Sequence, residues 1–66
     1  MNLKPNIKLK TILFEKGITQ RDLAFNTNID ESRISKIIKG YERPTSEMKD
    51  SISDYLEEEP KEIFFS

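Results

Sequence analysis

Residues 30–39 have the helical spacing that places an apolar arc on one side and a polar, mostly positive face on the other. The apolar arc consists of Ile34, Ile37 and Ile38. The outer face consists of Ser32, Lys36 and Lys39, with Glu31, Arg33 and Ser35 on its shoulders. A helix with hydroxyl and cationic groups on one face can enter a DNA major groove and hydrogen-bond to base edges. The same pattern also fits an ordinary amphipathic helix with a solvated outer face.

The residues before this segment predict another helix, which would hold the helix over residues 30–39 in place. Thr19 can cap its N-terminus, and Asp22 can bond back to the Thr19 amide, which is the spacing of a capping box. Asn28 tolerates the left-handed conformation that a sharp turn needs. Asp30 can then cap the following helix, and Gly40 can end it in a left-handed conformation. These patterns together predict a helix-turn-helix.

The rest of the chain predicts three further helices and no sheet. Asn6 can cap a helix over residues 7–16, which Gly17 would end. Thr45 can cap a helix over about residues 46–57, and Pro60 can begin a short fifth helix. The predicted inward residues are Leu9, Ile12 and Leu13, then Met48, Ile52, Tyr55 and Leu56, then Ile63 and Phe64.

Length and composition predict one domain over residues 1–66, with a loose basic arm at 1–5 and a short terminal helix and tail at 60–66. The chain has no cysteine and no histidine, which removes thiol nucleophiles and the usual zinc ligands. No acidic pair or glycine-rich phosphate loop stands out. We therefore expect no enzymatic activity, no cofactor, no metal and no small-molecule ligand. No apolar run approaches about 20 residues, so we expect a cytoplasmic protein without a membrane partner.

The charges are unevenly distributed along the chain. Residues 1–43 contain nine Lys or Arg and five Asp or Glu, whereas residues 44–66 contain two Lys and seven acids. A basic front and an acidic back would orient the protein against a polyanion. In so small a protein the asymmetry can also be accidental.

The sequence from Leu9 to Phe64, 56 of 66 positions, resembles the Cro/repressor class of helix-turn-helix regulators, often called Xre-like. The resemblance depends on EKGITQRDLA at residues 15–24, on Ile34-Ser35-Lys36-Ile37, on Gly40, and on the ending in Leu56, Pro60 and Ile63-Phe64. It implies an all-α, compact five-helix bundle of the lambda-repressor-like type, with the helix-turn-helix formed by helices 2 and 3. It also implies a sequence-specific transcriptional regulator, a bacterial or phage-encoded repressor that binds double-stranded operator DNA as a homodimer.

The resemblance also implies a set of DNA-contacting residues. The expected base contacts are Glu31, Ser32, Arg33, Ser35 and Lys36. The expected phosphate contacts are Thr19, Gln20, Lys39, Tyr41 and Arg43. Phe64 and Phe65 are candidate dimer contacts, although Phe64 can equally close the core. The competing hypothesis is a protein-binding module on the same scaffold, an anti-repressor or antitoxin-type partner that uses its acidic C-terminal face.

Three positions depart from the pattern of this class. Many members pair an Arg in the first helix with a Glu before the loop glycine, and here these positions hold Leu13 and Ile38. Because both charges are missing together, we expect an apolar contact in place of the ion pair. The usual turn glycine is replaced by Asn28. Glu31 would weaken non-specific DNA affinity more than specific affinity, or would simply favour the helix N-terminus.

Overall fold

Residues 4–64, the part of the chain described by a computed structural model, form five α-helices joined by short loops and contain no strand. The helices are α1 (Ile7–Lys16), α2 (Gln20–Thr27), α3 (Glu31–Lys39), α4 (Ser46–Leu56) and α5 (Pro60–Ile63). The predicted all-α fold is thereby confirmed, and the predicted bounds of α1 and α4 agree with the structure to within one residue. Residues 1–3 of the expected arm and Phe65, a candidate dimer contact, lie outside the described residues.

Side-chain caps begin three of the helices as the sequence predicted. The Asn6 side chain accepts the Leu9 N–H at 2.9 Å, and the Thr45 hydroxyl accepts the Met48 N–H at 3.1 Å. At α2 the capping box is complete. There, Thr19 Oγ1 accepts the Asp22 N–H at 3.0 Å while the Asp22 carboxylate accepts the Thr19 N–H at 3.2 Å. Such caps satisfy N–H groups that have no partner within their own helix.

The start of α3 differs from its prediction. Asp30 occupies the N-cap position, but its carboxylate accepts no hydrogen bond from the helix. The Asp30 carbonyl instead closes the first turn, because it accepts both the Arg33 N–H at 3.0 Å and the Ile34 N–H at 3.1 Å. Asp30 is exposed, so water can solvate its carboxylate in place of a helix amide.

Left-handed residues follow the first four helices. Gly17, Asn28 and Gly40 have φ of 69°, 60° and 86°, which confirms the three predicted stops. Glu57 also adopts this conformation, with φ of 59°, so α4 ends one residue earlier than predicted. The sequence could not show this stop, because a glutamate rarely adopts the left-handed conformation.

One hydrophobic core is shared by all five helices. Its members are Leu9, Ile12, Leu13, Leu23, Ala24, Ile34, Ile37, Ile38, Met48, Ile52, Leu56, Ile63 and Phe64. Phe64 is therefore buried within its own chain, and the alternative in which it closes the core is the correct one. Leu13 and Ile38 are both buried in this cluster, as expected if an apolar contact replaces the ion pair found in the class that the sequence resembles.

The predicted inner face of α4 was wrong at one position. Tyr55 is 37% exposed, whereas Ser53, which the apolar pattern did not select, is only 2% exposed. After α4 the chain is hydrogen-bonded back to the last turn of the helix, where the Glu58 N–H donates to the Ser53 carbonyl at 3.0 Å. A serine fits there because it is small and because its hydroxyl donates to the Lys49 carbonyl within the helix, at 2.6 Å.

The segment before α1 packs against the end of α3. The Asn6 N–H donates to the Ile38 carbonyl at 2.8 Å, and the Asn6 side-chain amide donates to the Ile63 carbonyl at 3.1 Å. A Cβ added to Gly40 would lie only 2.6 Å from the Lys4 carbonyl oxygen. Lys4 therefore lies directly against the loop that follows α3, where a loose arm was expected.

The two glycine stops allow a matched test of this contact. Gly17→Ala should cost about 1–2 kcal/mol, because it places a Cβ in a left-handed conformation but meets no atom within 4 Å. Gly40→Ala should cost about 1–3 kcal/mol more than Gly17→Ala, since its Cβ also collides with the Lys4 backbone. Urea unfolding of both variants measures the difference, and equal losses would show that the close approach of Lys4 contributes nothing.

A second test concerns the apolar replacement of the ion pair. Leu13→Ala should lower the free energy of unfolding by about 2–5 kcal/mol, and Leu13→Arg by more, because the new charge would be buried without a partner. The double variant Leu13→Arg/Ile38→Glu should regain part of that loss. Strictly additive effects in this double-mutant cycle would refute a contact between the two side chains.

Candidate nucleic-acid interface

The outer face of α3 is open to solvent in the described structure. Ser32, Lys36 and Lys39 are exposed, as is Glu31 at the start of the helix, while Ser35 is half-buried. The opposite side of α3 is formed by three isoleucines that lie in the core. The predicted division of this helix into a buried arc and a polar outer face is therefore confirmed.

The start of α2 can bind an anion. The capping box uses the N–H groups of Thr19 and Asp22, which leaves those of Gln20 and Arg21 without a partner inside the helix. Unpaired N–H groups and the positive end of the helix dipole both favour a phosphate at this position. Thr19 is exposed and Gln20 is half-buried, so both can be reached from solvent.

The loop after α3 folds back onto the helix that precedes it. The N–H groups of Tyr41 and Glu42 both donate to the Lys36 carbonyl, at 2.8 and 3.3 Å. These bonds fix the direction in which the chain leaves Gly40. Tyr41 remains 74% exposed, and Arg43 is exposed two residues later.

An ion pair joins this loop to the side of α3. Arg33 donates from Nε to Oε2 of Glu42 at 2.7 Å, and its Nη2 lies against the same oxygen. Glu42 is half-buried, whereas the Arg33 side chain is 47% exposed. Sequence reasoning missed this partner of Arg33, because the two residues are nine positions apart on either side of a helix-ending glycine. The only signal was a pair of opposite charges flanking Gly40.

The ten residues expected to contact DNA lie on three segments, and we call them together the candidate interface. They are Thr19 and Gln20 at the start of α2, Glu31, Ser32, Arg33, Ser35, Lys36 and Lys39 on α3, and Tyr41 and Arg43 in the following loop. Helix α2 packs on α3, and the loop is hydrogen-bonded to α3. The candidate interface contains four cations and one acid; Glu42 offsets the charge of Arg33, and the remaining net positive charge attracts a polyanion.

Residues 4–64 lack two other functional features. Within residues 4–64, no group of three or more His, Cys, Asp or Glu side chains is placed to hold a metal ion. None of the helices described there has the length and apolar character needed to cross a membrane.

Two findings from comparison with known proteins agree with this geometry. The helix-turn-helix family model HTH_3 matches residues 9–63, which include the whole candidate interface. The fold is similar to that of the restriction-modification controller protein C.AhdI from Aeromonas hydrophila, with a TM-score of 0.84 and 25% sequence identity over 89% of each chain. A search of curated proteins gave no significant match.

Proposed function

The chain belongs to the helix-turn-helix family of DNA-binding regulators, and from this premise we propose that it binds a specific double-stranded operator and represses transcription as a small homodimer. The main observation in favour is the solvent-exposed polar face of α3, which three buried isoleucines hold in a fixed orientation. Such a helix can lie in the major groove, where each base pair presents a distinct pattern of donors and acceptors.

Base recognition in this proposal comes from the first two turns of α3. Lys36 can donate to O6 and N7 of a guanine, and Glu31 can accept from N4 of a cytosine. Ser32 can donate to or accept from several bases. All three side chains are exposed.

Phosphate contacts would set the register of α3 on the duplex. Gln20 can donate to a phosphate through its side chain and through the first N–H of α2. Lys39 at the end of α3 and Arg43 in the following loop supply positive charge, and Tyr41 can donate from its hydroxyl. Contacts of this kind give affinity without sequence information.

Repression would follow from occupation of promoter DNA. The similar protein C.AhdI is a restriction-modification controller, which supports a role in gene control for the present chain as well. Occupancy of an operator depends on protein concentration, and through dimerisation it would depend on concentration more steeply.

A reporter gene placed behind the selected operator would show whether expression falls as the protein accumulates. A rise in expression would replace repression by activation without removing the DNA-binding function. Since the operator would be chromosomal or phage DNA, the protein would act in the cytoplasm.

The acidic side of the molecule favours a second candidate function. Glu47, Asp50, Asp54 and Glu57 are all exposed on or next to α4, and they could bind a basic surface of another protein. This protein-binding module would use the same scaffold without contacting DNA.

Salt dependence distinguishes these two functions. Two cationic phosphate contacts in each protomer, Lys39 and Arg43, make four in a dimer, so affinity for a duplex should fall about 100-fold between 50 and 200 mM salt. Fluorescence anisotropy with a random-sequence pool and with a selected duplex measures this fall. If no binding appears even at low salt, the DNA-binding function is wrong and the protein-binding module becomes the better hypothesis.

Single substitutions separate base contacts from phosphate contacts. Lys36→Ala should change the preferred sequence, with a loss of about 1–3 kcal/mol at one base pair, because it removes a base contact. Gln20→Ala should weaken all duplexes alike, because phosphates are the same at every position. Lys61→Ala is the matched control, since it removes an exposed positive charge from α5, outside the candidate interface. Equal losses from Lys36→Ala on all sequences would contradict its assignment to a base.

The dimer hypothesis makes a geometric prediction. Two α3 helices related by a two-fold axis should contact half-sites whose centres lie about 34–36 Å apart, one turn of DNA. Footprinting on the selected operator should therefore show two protected half-sites with inverted sequence, and analytical ultracentrifugation should show two protein chains per duplex. One protected half-site with one bound chain would rule out the dimer.

A further inference from the structure

We propose that Glu42 is a positioning residue in DNA recognition, which holds the Arg33 guanidinium by one edge so that its other edge can bind a guanine. The inference depends on the proposed function, because it requires α3 to lie in the major groove. It adds a residue outside the candidate interface, and it explains how a side chain on the shoulder of α3 can reach base edges in a defined orientation.

The geometry of the ion pair shows which edge of the guanidinium is in use. Arg33 Nε and Nη2 both lie against the same oxygen of Glu42, so the carboxylate occupies the side edge of the group. The end edge has one hydrogen on each of Nη1 and Nη2, and the structure gives it no acceptor among residues 4–64. Two parallel donors at the end of an arginine are the arrangement that binds O6 and N7 of guanine.

Placement on the helix favours a base as the target. Arg33 is the third residue of α3, and the N-terminal residues of a groove-entering helix are those that contact base edges. Its side chain is 47% exposed, so the end edge can be reached from solvent. The Glu42 side chain is less exposed, at 23%, and the hydrogen bond from its N–H to the Lys36 carbonyl anchors its backbone. The carboxylate is therefore the fixed partner of the pair.

Holding the guanidinium in advance lowers the cost of ordering it on DNA. An arginine that is free in solution loses side-chain entropy when it binds, and a pre-positioned one loses less. The orientation of the guanidinium also matters, because a planar two-donor group discriminates between bases only when its edge lies in line with O6 and N7.

The Arg33–Glu42 pair also controls the charge next to the expected phosphate contacts. Glu42 stands between Tyr41 and Arg43, two residues expected near phosphates, and Arg33 offsets its negative charge. Removal of Arg33 alone would leave an unpaired carboxylate close to the DNA backbone. Removal of both residues would relieve that repulsion but would not restore base recognition.

The test measures base preference and general affinity separately. An operator is first selected from a random duplex pool, and each of its guanines is then replaced in turn. Binding is measured for the natural chain and for Arg33→Ala, Glu42→Ala, Glu42→Gln and Arg33→Ala/Glu42→Ala. Asp54→Ala is the matched control, because it removes an exposed acid from α4, which carries no residue of the candidate interface.

One guanine should lose its preference in a defined pattern. Arg33→Ala and the double variant should abolish the preference at that position, and Glu42→Ala should reduce it about 3- to 10-fold. Glu42→Gln should keep most of it, since an amide oxygen can still accept from Nε and Nη2. Affinity for unrelated duplexes should fall with Arg33→Ala and recover in the double variant, whereas Asp54→Ala should leave the preference unchanged.

Three results would overturn the proposal. Glu42→Ala could bind all duplexes more tightly with its base preference intact, which would make Glu42 only a repelling charge. Arg33→Ala could weaken every duplex alike and reduce the salt slope by about one, which would assign Arg33 to a phosphate. A Glu42→Ala variant with a lower melting temperature and a preference unchanged at the temperature of the binding assay would make the pair purely structural. If the natural chain selects no sequence at all, it is the proposed function that fails.

Discussion

The orientation of α3 is the constraint on which the rest of the molecule depends. A chain of 66 residues has a thin core, and this one obtains a large part of it from Ile34, Ile37 and Ile38. Each fully buried isoleucine contributes about 1.5–3 kcal/mol, so three approach the total stability of a small domain, about 5–15 kcal/mol. Rotation of α3 by one residue, about 100°, would expose this arc and cost most of that stability. The same apolar contacts that fold the chain therefore also determine which polar side chains point outward.

Hydrogen bonds at the C-terminal end of α3 also help to fix the position of this helix. The last carbonyls of a helix need donors from outside its own hydrogen-bond pattern, and Asn6 supplies one of them at Ile38. The Asn6 side chain also binds the carbonyl of Ile63, so a single residue joins α1, α3 and α5. The absence of a side chain at Gly40 allows the Lys4 backbone to approach. The loop that bears Tyr41 and Arg43 thus leaves a helix end that is fixed on several sides.

Features encoded within a few residues of sequence were predictable, and those that depend on distant contacts were not. The caps at Asn6, Thr19 and Thr45 and the stop at Gly40 follow from local chemistry, and the structure has all four. Periodicity also located the buried arc of α3, because burial of an amphipathic helix obeys its 3.6-residue repeat. It failed at Tyr55 and Ser53, because the side of α4 that is buried depends on how α2 and α5 pack on it. The Arg33–Glu42 pair was missed because its spacing depends on how the loop after Gly40 folds, and no local rule describes that.

The charges suggest how such a small regulator could limit binding to unrelated DNA. A protein with a net charge of −1 gains little affinity from overall attraction to a polyanion, so its affinity must come from the local candidate interface. On DNA bound as proposed, Glu31 would repel the phosphates, while Glu42, next to the candidate interface, pairs with Arg33 and offsets its charge. In the proposed complex both acids would reduce the sequence-independent part of the affinity more than the part that comes from base edges. Specificity is a difference between two affinities, and lowering the non-specific one raises it as effectively as adding a new base contact. In the proposed mode of binding, Glu31 and Glu42 would therefore favour discrimination, because they would reduce the occupation of the many competing sites in a genome.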